Sequence, residues 1–93
     1  MTGEKVFRAY IVLRLSSVGD EWEVVERLKK IFPKDRVPYA CPVFGAWDVV
    51  VEVNFNELNQ LDDVVTKMRN DSVFKDILEE TTTMVAARNT YPW

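Results

Sequence analysis

Gly45-Ala46-Trp47-Asp48 joins two apolar alternating runs, Val37 to Phe44 and Trp47 to Asn54. Glycine at such a junction supplies the backbone freedom of a tight turn. Aspartate is disfavoured in strands, so Asp48 at the start of the second run answers to something other than β-propensity. A Gly-x-aromatic-Asp turn between two strands, in a chain of 93 residues, points to a ligand-sensing or assembly module rather than an enzyme.

The remaining elements follow from periodicity. Val6 to Leu15 reads as a strand with Phe7, Ala9, Ile11, Leu13 and Leu15 on one face. Its other face, Val6, Arg8, Tyr10, Val12 and Arg14, is mixed, and Tyr10 and Val12 there call for partial cover, for which a partner subunit is a candidate. Ser17 with Asp20 three residues on resembles a capping box with Asp in place of Glu. A helix then runs to about Phe32. Trp22, Val25, Leu28 and Phe32 fall at helical spacing, Val24 and Ile31 widen the stripe, and Pro33 stops it. Pro38 and Pro42 remove donors along one line of the Val37–Phe44 run and demote it to an edge or bulged strand. Trp47 to Asn54 is a valine-rich strand with Val49, Val51 and Val53 on one face.

Asn56 is the expected N-cap of a second helix carrying Leu58, Leu61, Val65 and Met68, with Val64 beside them. Asn70-Asp71-Ser72 ends it, and Val73 to Asp76 is a connector with no assigned form. Leu78 to Arg88 reads as the last strand and contains Thr81-Thr82-Thr83; the tail Asn89 to Trp93 is short and either disordered or packed on a neighbour. The order strand, helix, strand, strand, helix, strand predicts one α+β domain over 1–93. It is the ferredoxin-like βαββαβ arrangement: four antiparallel strands with both helices on one face. The uncovered sheet face is the place for association.

Composition closes off other classes. Twelve Lys+Arg against fifteen Asp+Glu give a net charge of −3, which opposes a nucleic-acid binder with a basic stripe. The cluster Arg27, Lys29, Lys30, Lys34, Arg36 reads as a solvated helix end. RNA-recognition domains share the architecture, but only Tyr10 is placed to stack a base and their Lys/Arg-Gly-Phe/Tyr pattern is absent. No apolar run has bilayer-spanning length, and Met1 to Lys5 lacks signal-peptide organisation, so a cytoplasmic chain is expected. Cys41 is the single cysteine; it excludes an intramolecular disulfide and reads as a small buried hydrophobe. There is no histidine, hence no Ser-His-Asp or Cys-His pair. No metal motif or phosphate loop is found and no cofactor is expected. Asp62-Asp63 and Glu79-Glu80 read as solvated charge.

Two features remain. Gly45 and Asp48 together make a small polar mouth in which turn N–H groups bind a carboxylate and Asp48 takes an ammonium or amide. The plain alternative for Asp48 is a turn cap bonded to the hairpin backbone. Thr81 and Thr83 offer hydroxyls from a second element, or are simply strand surface.

Residues from about Phe7 to Arg88 resemble the regulatory (RAM) domain of Lrp/AsnC transcription regulators. The resemblance rests on the element order, on Gly45-Ala46-Trp47-Asp48 against that family's Gly-x-Tyr/Phe-Asp, and on Thr81-Thr82-Thr83 against its Thr-x-Thr. It implies dimerisation through the sheet, assembly of dimers into larger rings, often octamers, and an amino-acid effector held between dimers near the turn. Gly45, Ala46, Trp47 and Asp48 would then line the effector mouth, with Thr81 and Thr83 facing it. Trp47 in place of Tyr or Phe, and Phe44 before the glycine, make this mouth more apolar. The chain resembles the stand-alone members without a helix-turn-helix; the output expected of this chain is then a protein partner, such as a full-length Lrp/AsnC regulator, and not direct contact with nucleic acid or membrane. The alternatives are a structural assembly module without a ligand, and a small ferredoxin-like enzyme, which the lack of histidine opposes.

Overall fold

The strands pair as their alternation dictates. A computed structural model describes residues 6–17 and 19–86. It contains β1 (Phe7–Leu15), α1 (Glu21–Ile31), β2 (Tyr39–Pro42), β3 (Val49–Phe55), α2 (Leu58–Asn70), a 3-10 turn (Phe74–Asp76) and β4 (Leu78–Val85). The strands form one antiparallel sheet in the order β2-β3-β1-β4, the ferredoxin-like α+β arrangement. In the central pair Ala9 faces Val53, Ile11 faces Val51 and Leu13 faces Val49. All six side chains are fully buried, and with Val24, Val25, Leu28 and Phe32 from the first helical segment and Leu61, Val64 and Met68 from α2 they form one cluster.

The helix stripes are shorter than periodicity predicts. Trp22 is 66% exposed and Leu58 70% exposed, while Val65 is half-buried. Trp22 and Leu58 belong to the first turn of their helices, where each helix is only arriving over the sheet. The caps also differ from the expected ones. Asp20 is the N-cap residue of α1, and the Ser17 hydroxyl donates to its carboxylate at 2.7 Å instead of capping the helix. Glu57, not Asn56, is the N-cap of α2. The Gln60 carboxamide oxygen accepts the N–H groups of both Asn56 and Glu57, at 2.7 and 3.0 Å, so the reciprocal device of a capping box outcompetes the short Asn side chain.

β2 is a four-residue edge strand, shorter than the Val37–Phe44 run but at the edge its prolines predict. The Val43 N–H donates to the Asp48 carbonyl at 3.0 Å. By the alternation of an antiparallel ladder, Tyr39 and Cys41 also turn their backbone groups toward β3, and Ala40 turns its own outward. Pro38 and Pro42 flank it without an N–H, so from 38 to 42 the open edge presents the single donor of Ala40. β3 starts at Val49 rather than Trp47, because the turn holds Trp47 and Asp48 out of the ladder. Positions 87 and 88 of the expected last strand and the tail Asn89–Trp93 lie outside the described residues.

The 73–76 connector contributes a core residue that periodicity does not reveal. Phe74 is fully buried, and such a side chain contributes roughly 2–3 kcal/mol of apolar burial. Asp71 holds it in place. Its carboxylate accepts the Val73 and Phe74 N–H groups at 3.0 and 3.3 Å and takes the Arg27 guanidinium in a forked contact of 2.7 to 3.2 Å. One residue of the expected solvated basic cluster is therefore structural, tying α1 to the end of α2. Arg36 is another, donating to the Asn54 carbonyl at 2.8 Å.

The hydrogen bond from Arg27, with the two backbone N–H groups, holds the Asp71 carboxyl below its ordinary value. A depressed carboxyl adds stability that is present above the unfolded-state value, about pH 4, and is lost as pH falls through the folded-state value. Asp71→Asn should lower Tm at neutral pH by several degrees. In thermal melts of both proteins that difference should narrow as pH drops below about 4; a difference constant with pH would remove the carboxylate from the explanation.

Candidate functional site

The turn is fastened from below by its own aspartate. The Asp48 N–H donates to the Leu13 carbonyl at 2.8 Å, and one carboxylate oxygen accepts the Leu15 N–H at 2.8 Å. Leu15 lies where the pairing of β1 with β4 slips: Arg14 faces Glu80, but Leu15 faces Leu78, leaving Glu79 as the extra residue of a bulge. Asp48 thus terminates the central strand and caps the turn at once. Of the two roles read for it from sequence, the structure contains the cap, bonded across to β1 rather than within the hairpin.

Arg14 fastens the turn from the outer face of the sheet. Its Nε and Nη2 donate to the Ala46 carbonyl at 3.2 and 3.0 Å, and its guanidinium lies 4.7 Å from the centre of a Trp47 ring. Its Nη1 meets the Glu80 carboxylate at 3.0 Å. One side chain thereby grips the turn, stacks on the aromatic that distinguishes it and reaches β4. Arg14 was read only as part of a mixed strand face. The cue in the sequence is an arginine next to the strand's last residue, too common a pattern to single out.

Above these fastenings the turn is open. Gly45 has φ +134°, a conformation that favours glycine, and a side chain there would meet nothing within 4 Å. Among the described residues, the N–H groups of Phe44, Gly45, Ala46 and Trp47 donate to no acceptor of the chain. Phe44 is fully exposed. Beside the turn a cleft of about 520 Å³ runs to the start of α1; Gly45, Asp48, Phe44, Cys41, Glu21 and Trp22 help to line it. The exposed Trp22 is thus accounted for, as a wall of this cleft. Cys41 is half-buried rather than buried, on the outer face near Tyr39. Hydrogen bonding with the Cys41 thiol, with the nearby charge of Glu52, pushes the Tyr39 phenol above its ordinary value.

Not all the expected site residues meet within one chain. Gly45 and Asp48 line the cleft, and Ala46 and Trp47 form its scaffold against Arg14. Thr81 and Thr83 sit across from Leu13 and Ile11 on the helix-bearing face of β4, at the opposite edge of the sheet from β2. Thr83 borders a groove with Leu58, Leu61 and Val65, and Thr81 accepts a hydrogen bond from Arg69 at 3.0 Å. Among the described residues no group of three Cys, Asp or Glu side chains is placed to hold a metal, and no helix is long and apolar enough to cross a membrane.

The geometry makes the cost of a Cβ at position 45 purely conformational. Gly45→Ala should destabilise the protein by about 1–2 kcal/mol in denaturant titration, with no change of fold. A neutral outcome would mean that the turn relaxes to another conformation.

No family model and no curated protein matches the sequence. Solved structures do. FFRP-DM1 is 30% identical, with 86% of this chain and 97% of that one aligned at a TM-score of 0.67. AsnC of E. coli aligns over 96% of this chain at TM-score 0.73 and 21% identity, this chain spanning 55% of AsnC. The transcriptional regulator NMB0573 of Neisseria meningitidis, solved as a complex with L-Met, aligns over 91% of this chain and 52% of its own at TM-score 0.64 and 13% identity. The last two likenesses show the fold alone. The 30% identity over nearly the whole of FFRP-DM1, an Lrp/AsnC-type protein, adds common descent, and the chain belongs to the Lrp/AsnC family, carrying the fold of its regulatory domain.

Proposed function

We propose that this domain senses a small molecule, an amino acid being the first candidate, at the Gly45–Asp48 turn, and that occupancy is read out through assembly with protein partners. The observation that carries the proposal is the division of labour in the turn. Asp48 and Arg14 are spent on structure, while among the described residues four successive N–H groups, 44 to 47, have no acceptor, and Phe44 and Gly45 line a cleft of about 520 Å³. A carboxylate is the natural acceptor for such a set, and Glu21 and the second oxygen of Asp48 are the anionic counterparts for an ammonium. The L-Met complex of NMB0573 supports an amino acid as effector.

Thr81 and Thr83 take part in this site only if they come from another protomer, since in one chain they occupy the far edge of the sheet. The outer sheet face supplies the means of association. Its middle is apolar, with Tyr10, Val12, Val50 and Met84 in adjoining rows. Its charges are paired within the face, Arg8 with Glu52 at 3.4 Å and Arg14 with Glu80 at 3.0 Å. An apolar centre with neutralised margins suits a homodimer interface, from which larger rings build. The output is then a protein partner, such as a full-length Lrp/AsnC regulator, in a cytoplasmic setting. One observation favours an assembly module without a ligand: the only carboxylate in the turn already has a structural bond.

Native mass spectrometry against a panel of L-amino acids separates these. Bound mass, or a shift between dimer and larger ring, with loss of both in Asp48→Ala, is the outcome expected of a sensor; an oligomer indifferent to the whole panel identifies an assembly module. Val12→Glu places a charge at the centre of the outer face and should shift the oligomer toward monomer in sedimentation. An unchanged oligomer would move the interface off the sheet.

A further inference from the structure

On the helix side of the sheet a second cavity of about 370 Å³, with a lining separate from that of the turn cleft, lies between α1 and the edge strand β2. Its floor is Val25, Leu28 and Phe32, side chains that are otherwise core. Lys29 and Lys34 stand at its mouth, both exposed, and no Asp or Glu lines it. In a chain of net charge −3, this is an apolar hole with a locally cationic rim. The open edge beside it carries the Ala40 N–H, the one donor that the ladder and the two prolines leave facing outward from 38 to 42.

We propose that this cavity binds a small amphipathic anion, an aliphatic or aryl carboxylate, with its hydrocarbon part on Val25, Leu28 and Phe32 and its carboxylate between Lys29 and Lys34. Three features select this occupant. The volume falls at the lower end of small-molecule pockets, about 300–1,000 Å³, which admits one short chain or ring. The rim selects the sign of the head group, because two ammonium groups without a lining carboxylate favour an anion and repel an amine. The edge excludes a β-strand as the occupant, since pairing along β2 would find one N–H where a strand needs several. Lys29 already lies 3.2 Å from Glu26, but that pair is exposed on the helix surface and exchanges readily for a stronger acceptor. Lys34 has no ion-pair partner among the described residues.

Octanoate is the probe, with octylamine and octanol as its cationic and neutral counterparts, each titrated into the full ¹⁵N-labelled chain. Octanoate is expected to give saturable amide shifts at Val25, Leu28, Phe32 and Ala40, and octylamine none there. Lys34→Glu, a surface change that leaves the core intact, should weaken octanoate by about threefold or more. Lys30→Glu, beside Lys29 on α1 but outside the cavity, should leave it unchanged. Equal binding of octylamine, absence of saturation in the millimolar range, or shifts confined to the Gly45 turn would each overturn the proposal. The outcome is independent of the amino-acid panel, since the two cavities share no lining residue.

Discussion

The bond from the Leu15 N–H to the Asp48 carboxylate decides where the sheet ends and how the turn is held. β1 lies between β3 and β4, and its last residue pairs normally on neither side. On the β4 side the register slips at Arg14 and Leu15. On the β3 side the ladder would continue to Trp47, but the turn has already begun. A buried N–H without a partner costs about 1–3 kcal/mol, and Asp48 removes that cost with a charge-assisted acceptor. Once the carboxylate sits there, the path of residues 44–47 is set. The Ala46 carbonyl accepts from Arg14, and among the described residues the N–H groups of 44–47 have no acceptor. An aspartate that looks misplaced by β-propensity is thus the residue that lets β3 start two positions late without loss.

The same device recurs at the other junctions. The core contains no polar or charged side chain among the described residues, so the core enforces burial but specifies little about the loops. The loops are specified by side-chain oxygens on backbone N–H groups: Asp48 at the hairpin, Gln60 at the start of α2 and Asp71 at its end. This explains the pattern of what was legible in the sequence. Alternation in β1 and β3 and the helical stripes of Leu28 and Met68 report burial directly, and the ferredoxin-like fold follows from them, while Pro38 and Pro42 report the edge position of β2. The caps were misplaced by one residue at α2 and in role at Ser17, because several Ser, Asp, Asn and Glu residues stand at each junction and sequence does not say which oxygen reaches which N–H. Phe74 was missed because a 3-10 turn of three residues has no periodicity to read.

The candidate site was legible as a motif but not as an arrangement. Gly45 to Asp48 stands out in the sequence as the junction of two apolar alternating runs. Trp22 and Glu21 did not, because a tryptophan at helical spacing reads as core, and only the placement of the first turn of α1 beside Phe44 makes it a wall of a cleft. Thr81 and Thr83 were read together with the turn, yet one chain sets them at the opposite edge of the sheet. Sequence spacing carries no information about which edge of the sheet a strand takes.

For the proposed ligand at the turn, Arg14 would be the physical route to the rest of the molecule. A ligand shifts an assembly only by its differential affinity for the assembled and free states, so the site and the interface must share a structural element. α1 reaches the cleft through Glu21 and Trp22, but the buried stripes of both helices pack on the inner face, away from the outer face of the sheet. Arg14 belongs to both regions: its guanidinium holds the Ala46 carbonyl and the Trp47 ring, and it projects from the same outer row as Tyr10 and Val12 while paired to Glu80. A ligand that moves the turn must either stretch these contacts or carry Arg14 with it. Either response alters the charged margin of the sheet face through which the proposed dimer forms, and it does so within one residue's reach, without any rearrangement of the core.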